Sequence, residues 1–405
     1  ASAEFDFADI MKRVKSVIAA IEPNDSVERY SGLGVEVIRG EATVLSPTEV
    51  EVNGRTITTR NIILATGAQP FVPPIEGLDS VDYLTSDNIW DLQQLPGKLV
   101  VLGGGPIGCE LAQCFARFGS EVSIVEMLPQ IMIREDPEIA SFMAERFELE
   151  GIALYTGYKA VKVIHEGGRK ILQCENDSGV IEVEFDHILV AVGRAARTAG
   201  AGFDAIDIPL TQRKTIETDD YLQAGYPSIF ACGDVVGPYQ FTHVASHQAW
   251  YATVNALFRP FKKFRVDYRV IPWATYTDPE VARVGLNEQD ARDKGVPYEI
   301  TRYELSELDR ALADGAAEGV VKVLTVPGKD RILGVTILGS HAGDLIAEFV
   351  LAMKHGLGMN KILGTIHAYP TWMEANKFAA GNWKKAHAPQ WALNILEKFH
   401  RWRRR

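Results

Sequence analysis

The chain has 405 residues, 46% of them hydrophobic and 23% charged, with a net charge of −11 at pH 7. This is the make-up of a soluble globular protein of two to four domains, and the acidic balance argues against a nucleic-acid binder. No apolar run reaches the length of a membrane span and no signal peptide is visible; four scattered cysteines and nine unclustered histidines point to a reducing compartment, the cytoplasm, and to no structural metal.

Asp9 to Ile21 places Ile10, Val14, Val17, Ile18 and Ile21 at helical spacing and stops at Pro23. Val35 to Arg39, Ala42 to Leu45, Glu49 to Val52 and Arg55 to Thr59 read as short strands, with Asn53-Gly54 as a type I′ hairpin turn. Asn61 to Leu64 is an apolar strand running into Ala65-Thr66-Gly67, and Pro70 to Gly77 reads as a connection between domains.

Lys98 to Glu126 is the most specific stretch. A β-branched apolar run leads into Gly103, Gly105 and Gly108 at G-x-G-x-x-G spacing. A helix follows with Leu111, Phe115 and Phe118 on one face and Gly119 as its stop. A second strand, Val122 to Val125, ends in Glu126. Gly103 allows the tight turn, Gly105 lets backbone approach a pyrophosphate, and Gly108 lets helix and strand pack closely. Pro106 and Ile107 open the helix whose free N–H groups face that phosphate. Glu126 accepts hydrogen bonds from a ribose 2′-OH. With no Arg directly after it, the unit is expected to favour NADH over NADPH.

Asp136-Pro137 starts another helix, ending at Gly151, and a hairpin turns at Gly167-Gly168. HILVAVGRAA at 187–196 then echoes NIILATGAQP at 61–70. The repeat suggests two dinucleotide-binding domains, the first lacking its glycine-rich unit, which would lie before Ala1. Ser228 to Ala231 is a strand ending in Gly233-Asp234, and a helix runs from Thr242 to about Phe258. Tyr303 to Leu308, Gly319 to Val326 and Ile332 to Leu338 read as strands, and Ala342 to His355 as a helix. The last helix, Trp391 to Trp402, ends in Arg403-Arg404-Arg405. That basic end reads as a solvated terminus favourable to the helix dipole, a membrane-surface role being the alternative.

In order, ATGAQP, GGGPIGCE, AVGR, ACGDV, THVA, TDPEVARVG and HAYPTWME resemble the pyridine nucleotide–disulfide oxidoreductases, the group of lipoamide dehydrogenase, glutathione reductase and mercuric reductase. The resemblance spans nearly the whole chain. It implies an α/β protein with two Rossmann-like three-layer domains, the first incomplete, and an α+β dimerisation domain. The implied spans are 1–85 and 206–262 for the FAD domain, 86–205 for the NAD(P) domain, 263–390 for a homodimerising domain and 391–405 for a basic C-terminal helix. Any other membrane contact would need a domain upstream.

By this resemblance Thr66 and Gly67 lie along FAD, Asp234 after Gly233 bonds its ribitol, and Gly193 closes the AVGR turn beside a cofactor. Val244 and Ala245 offer helix N-terminal N–H groups to the flavin. Glu110 sits near the flavin edge and pairs with a lysine from the absent segment; taken alone it is a dipole partner in a first helical turn. The family's C-x-x-x-x-C pair would also lie upstream, and because the first domain's pyrophosphate-binding glycines are absent, residues 1–405 alone are expected not to hold FAD tightly. Cys109 and Cys114 share that spacing, but at 3.6 residues per turn they fall about 140° apart on one helix and read as packing residues. The family's proton-transfer His–Glu dyad corresponds to Tyr369 and Glu374. Tyrosine is a poor base at neutral pH but a possible donor. It resembles mercuric reductases, whose C-terminal cysteines have no counterpart after Cys232. An aromatic lid is replaced by Pro106, and a Pro-Asn after AVGR by Ala195-Ala196. The reading is an FAD enzyme passing electrons from NAD(P)H to a disulfide or thiol-bound acceptor. Its alternatives are a non-catalytic nucleotide-binding dimerising module and an NADH oxidase.

Overall fold

Leu99, Val100, Val101, Val122, Ile124, Ile188 and Leu189 are each at most 1% exposed, the two-sided burial that parallel strands under helices require. In the computed structural model, which describes residues 5–404, they form the middle of a five-stranded parallel sheet. Its order is Tyr83–Leu84, His187–Val190, Lys98–Leu102, Glu121–Glu126, Ala153–Thr156. Each such side chain contributes about 1.5–3 kcal/mol on burial. Residues 1–4 of the expected first domain and Arg405 of the basic run lie outside the described residues. The chain divides into two compact units, one running to Ile131 and resuming over Phe147–Asp267, the other holding Met132–Arg146 and the chain from Tyr268 on.

In the first unit, helix Pro106–Arg117 starts three residues earlier than the helical period at Cys109 suggests, because Pro106 at its first position has a fixed φ suited to a helix start. The helix buries Gly108, Cys109, Ala112, Gln113 and Phe115, while Leu111 is only half-buried. Phe115 and Phe118 pack against Phe7 of helix Phe7–Ile21, tilted and edge-on, at 5.9 and 6.1 Å between ring centres. That helix buries Phe7 and Met11 and leaves Val17, Ile18 and Ile21 exposed, so its expected apolar stripe faces outward.

Ala42–Ser46, Glu49–Val52 and Arg55–Thr58 form an antiparallel meander. Its second turn, Asn53-Gly54, has φ of 53° and 73°, as a type I′ turn demands. Residues 35–39, expected as a strand, form none, since no neighbouring strand pairs with them. A second meander, Lys159–Glu166, Arg169–Asn176 and Gly179–Phe185, turns at Gly167-Gly168. The two echoing segments meet: Ala68–Pro70 pairs antiparallel with Arg194–Ala196. Ile62–Leu64 pairs in parallel with Ile229–Ala231.

The second unit is built on an antiparallel sheet ordered Pro272–Thr275, Glu280–Gly285, Ile332–Gly339, Val320–Thr325, Glu299–Glu304. Helices Ala342–Lys354 and Glu374–Ala386 pack on it through Phe349, Ala375 and Ala379, all 0% exposed. The strand expected at Tyr303 to Leu308 is displaced: the strand is Glu299–Glu304, and Leu305–Glu307 turns into a 3-10 helix. Burial alternates through Thr301 and Tyr303, a period hidden because apolar Ile300 is exposed and polar Thr301 points inward.

Candidate functional site

Gly103, with φ 109°, ends the strand Lys98–Leu102, and a Cβ there would lie 2.5 Å from the Ala191 carbonyl oxygen. At Gly108 a Cβ would lie 2.0 Å from the Gly103 oxygen, so helix and strand meet there without room for a side chain. Gly105 is the opposite case. No atom lies within 4 Å of its would-be Cβ, and the loop backbone stays open to a ligand. Pro106 and Ile107 begin the helix beside that opening, Pro106 exposed and Ile107 half-buried. This arrangement fits a dinucleotide pyrophosphate.

Glu126 closes the next strand. Its Oε2 accepts from the Gly104 amide at 2.7 Å and its Oε1 from the Leu128 amide at 2.8 Å. The carboxylate is thus fixed beside the glycine loop. Met127 and Leu128 follow it, both exposed and apolar. Glu110 is the fifth residue of its helix and half-buried, not in the first turn, so the dipole reading is corrected: that effect fades beyond the first turn.

The paired strands Ile62–Leu64 and Ile229–Ala231 end side by side, and the Cys232 amide donates to the Leu64 carbonyl at 3.0 Å. Beyond them Gly67 and Gly233 have φ of 69° and 80°. The Thr66 hydroxyl donates to the Arg197 carbonyl at 2.7 Å, and the Gly233 amide donates to Oε1 of fully buried Gln248 at 2.6 Å. Burial raises the Asp234 carboxyl above its ordinary range, opposed by Arg194, whose Nε lies 3.7 Å away. Arg194 also donates to the Ala68 carbonyl at 2.9 Å and to Ser86 Oγ at 3.3 Å. It follows Gly193, whose φ is 129°. One side chain therefore ties the AVGR turn to both strand ends, and these residues fit a second dinucleotide.

In helix Thr242–Phe258, Val244 is buried in the first turn, while the Ala245 amide donates to the Phe241 carbonyl at 2.9 Å. Ala245 therefore does not offer the donor expected of it, because the fourth helical residue is already bonded within the helix; first-turn geometry leaves that part to Val244. Arg194 as a bridge and Gln248 were missed from the sequence. Arg194 stands in a quoted motif, and Gln248 gave no local signal.

In the second unit the Tyr369 hydroxyl donates to Asp309 Oδ2 at 3.0 Å, and this bond, with the Asp309 charge, raises the tyrosine above its ordinary pKa. Glu374 is 5% exposed at the start of helix Glu374–Ala386, and its Oε2 accepts from the Thr371 amide at 3.4 Å. Its charge adds to the upward shift at Tyr369. His367 turns to Glu348, with Nε2 2.9 Å from Oε1. Nearby Tyr303 is pushed up to about 12 by burial, then by Glu307, Asp309 and Glu374.

All four thiols are unpaired by disulfides. Cys109 is buried and Cys114 exposed, on different helix faces. Burial raises Cys232 and pushes Cys174 up to about 12, which keeps both as inert thiols. Among the described residues, Asp136, Glu138 and Glu288 place carboxylate oxygens within 4.8 Å of one another. Lys322, fully buried, sits among them with Nζ 2.8 Å from Asp136 Oδ2, and supplies the positive charge. Among the described residues no helix is long and apolar enough to cross a membrane.

The sequence profile of the pyridine nucleotide-disulphide oxidoreductase family matches residues 6–249, and that of its dimerisation domain matches residues 271–380. The chain belongs to this family of FAD-dependent oxidoreductases, whose members bind FAD and NAD(P)H. It is 35% identical over 378 residues to a dihydrolipoyl dehydrogenase of Chlamydia muridarum, covering 91% of this chain and 79% of that one. It is 32% identical over 376 residues to a mercuric reductase of Staphylococcus aureus, covering 93% and 68%. Among solved structures, the HOCl-induced flavoprotein disulfide reductase RclA of Escherichia coli superposes with a TM-score of 0.85 at 26% identity, over 93% of this chain and 86% of that one.

Proposed function

We propose that the chain draws electrons from NADH and passes them, with FAD, to a disulfide or thiol-bound acceptor, working as a cytoplasmic homodimer. The observation that carries the NADH reading is Glu126. Its carboxylate is held by two backbone amides at the end of its strand, and two apolar residues follow it. A carboxylate so placed accepts from ribose hydroxyls and repels a 2′-phosphate. Gly103, Gly105, Pro106, Ile107 and Gly108 hold the pyrophosphate. Thr66, Gly67, Gly193, Gly233, Asp234 and Val244 hold FAD, which when bound supplies a two-electron carrier between nicotinamide and acceptor. Glu110 lies along the flavin edge.

Tyr369 acts as a hydrogen-bond donor. Its proton is retained by Asp309 and Glu374 across the neutral range, so it serves reduction of an acceptor better than proton abstraction from a dithiol. A match to the family's dimerisation domain supports the homodimer. The test is anaerobic NADH oxidation with lipoamide, an aromatic disulfide or a thiol-complexed Hg(II) as acceptor, against oxygen as the control. The reading expects at least one thiol-class acceptor to exceed oxygen by about 10-fold or more. Turnover with oxygen alone would replace it by an oxidase, and no turnover with any acceptor by a binding module.

A further inference from the structure

The C-terminal helix Gln390–Arg403 buries none of its residues. At about 100° per residue, Trp391, Trp402, Ile395, Phe399 and Leu396 share an arc of roughly 140°, with Arg403 just inside its edge. Trp391 and Trp402 are 70% and 71% exposed and Ile395 58%, an apolar face left open among the described residues. Lys398 flanks the Trp391 edge of that arc, and Arg401 and Arg404 lie on the far side with exposed Leu393, so with Arg403 four cations stand against the single Glu397. The helix lies beyond residue 380, where the match to the dimerisation domain ends.

The charge on this helix selects the occupant. Two copies packed in parallel would bring Arg403 and its neighbouring cations together. Packed antiparallel they would offer those cations only the single Glu397 of each helix, whereas an anionic surface would neutralise them. A basic polar face opposite a Trp/Phe/Leu face, with indoles near both ends, suits a helix lying in the plane of a headgroup layer. We propose that this helix docks the protein on an anionic phospholipid bilayer, inserting Trp391, Ile395, Phe399 and Trp402 below headgroups contacted by Arg401, Arg403 and Arg404. One short helix makes such docking reversible, and it brings the enzyme to the membrane face without spanning it.

The experiment is co-sedimentation of the full chain with vesicles of phosphatidylglycerol and phosphatidylcholine, compared with phosphatidylcholine alone. Partition onto the anionic vesicles is expected to exceed that onto neutral ones by about 10-fold or more and to fall as salt rises. The variant Arg401→Gln/Arg403→Gln/Arg404→Gln should bind on the order of 100-fold more weakly. Ile395→Asp/Phe399→Asp should abolish binding with unchanged NADH affinity, since the helix lies outside the core. Quenching of tryptophan emission by brominated acyl chains, lost in Trp391→Phe/Trp402→Phe, reports insertion separately. Absence of binding to anionic vesicles overturns the proposal, as does binding that survives Ile395→Asp/Phe399→Asp. A higher oligomer dissolved by that variant, without vesicle binding, would also overturn it and assign the face to a second copy.

Discussion

The Tyr369 hydroxyl donates a hydrogen bond to Asp309, and that bond and charge hold the tyrosine above its ordinary pKa. A histidine in its place would titrate near 6.5, so the exchange of residue changes the pH behaviour of the step it serves. Under the proposed role, Tyr369→Phe lowers kcat for acceptor reduction by about 100-fold, the low end for a positioned acid, without altering NADH affinity. The wild-type kcat profile shows no inflection from this group between about pH 6 and 9, and Tyr369→His introduces one near 6.5. Stopped-flow and steady-state rates across that range check both statements, and an unchanged kcat in Tyr369→Phe would remove Tyr369 from the chemistry.

At the scale of elements, strand Val320–Thr325 is buried along its whole length and carries Lys322 into the interior. Burial alone would raise the Glu138 and Glu288 carboxyls. Hydrogen bonds and charge from Lys322, joined by Arg302 at Glu138 and Tyr298 at Glu288, outweigh it and hold both below the ordinary range. Lys322 itself is raised: burial works against its charge, and the three carboxylates more than offset this. Carboxyls depressed by folding stabilise above their unfolded pKa and lose that contribution as pH falls through the folded value. The raised lysine stabilises below its unfolded pKa and loses its contribution only as pH climbs beyond that. Lys322→Met leaves three converging acids and should cost about 3–5 kcal/mol at pH 7. The gap from wild type should narrow as pH falls below about 4.3, where glutamates protonate. Denaturant melts at pH 4 and 7 measure it, and a pH-independent gap would contradict the account.

The same scale shows what the sequence could and could not convey. The strand–glycine–helix–strand unit at Lys98 to Glu126 was legible because its signals are local: apolar runs, glycine spacing and a terminal acid. The depth of each position on the helix was not legible: Leu111 shares a face with Phe115 yet is only half-buried, while the small residues Gly108, Cys109 and Ala112 are buried. Strand Glu299–Glu304 begins earlier than its pattern indicates because apolar Ile300 faces out and polar Thr301 faces in. Contacts such as Arg194 with Asp234, Gln248 with Gly233, or Lys322 with Asp136 join distant parts of the chain, and no local pattern announces them.

At the scale of the molecule, the first unit carries the dinucleotide-binding geometry and the second the sheet matched to dimerisation, with the Tyr369 and Glu374 pair. The central claim is that the first unit selects NADH through Glu126. The most direct measurement is titration of the protein with NADH and with NADPH, followed by nicotinamide fluorescence, for wild type and Glu126→Gln. NADH should bind about 10-fold or more tightly than NADPH, as one charge-assisted hydrogen bond supplies. Glu126→Gln can still accept from the Gly104 amide, and should lose most of the discrimination, through weaker NADH binding and relief of the repulsion on the 2′-phosphate. Equal or tighter binding of NADPH to the wild-type protein would contradict the account.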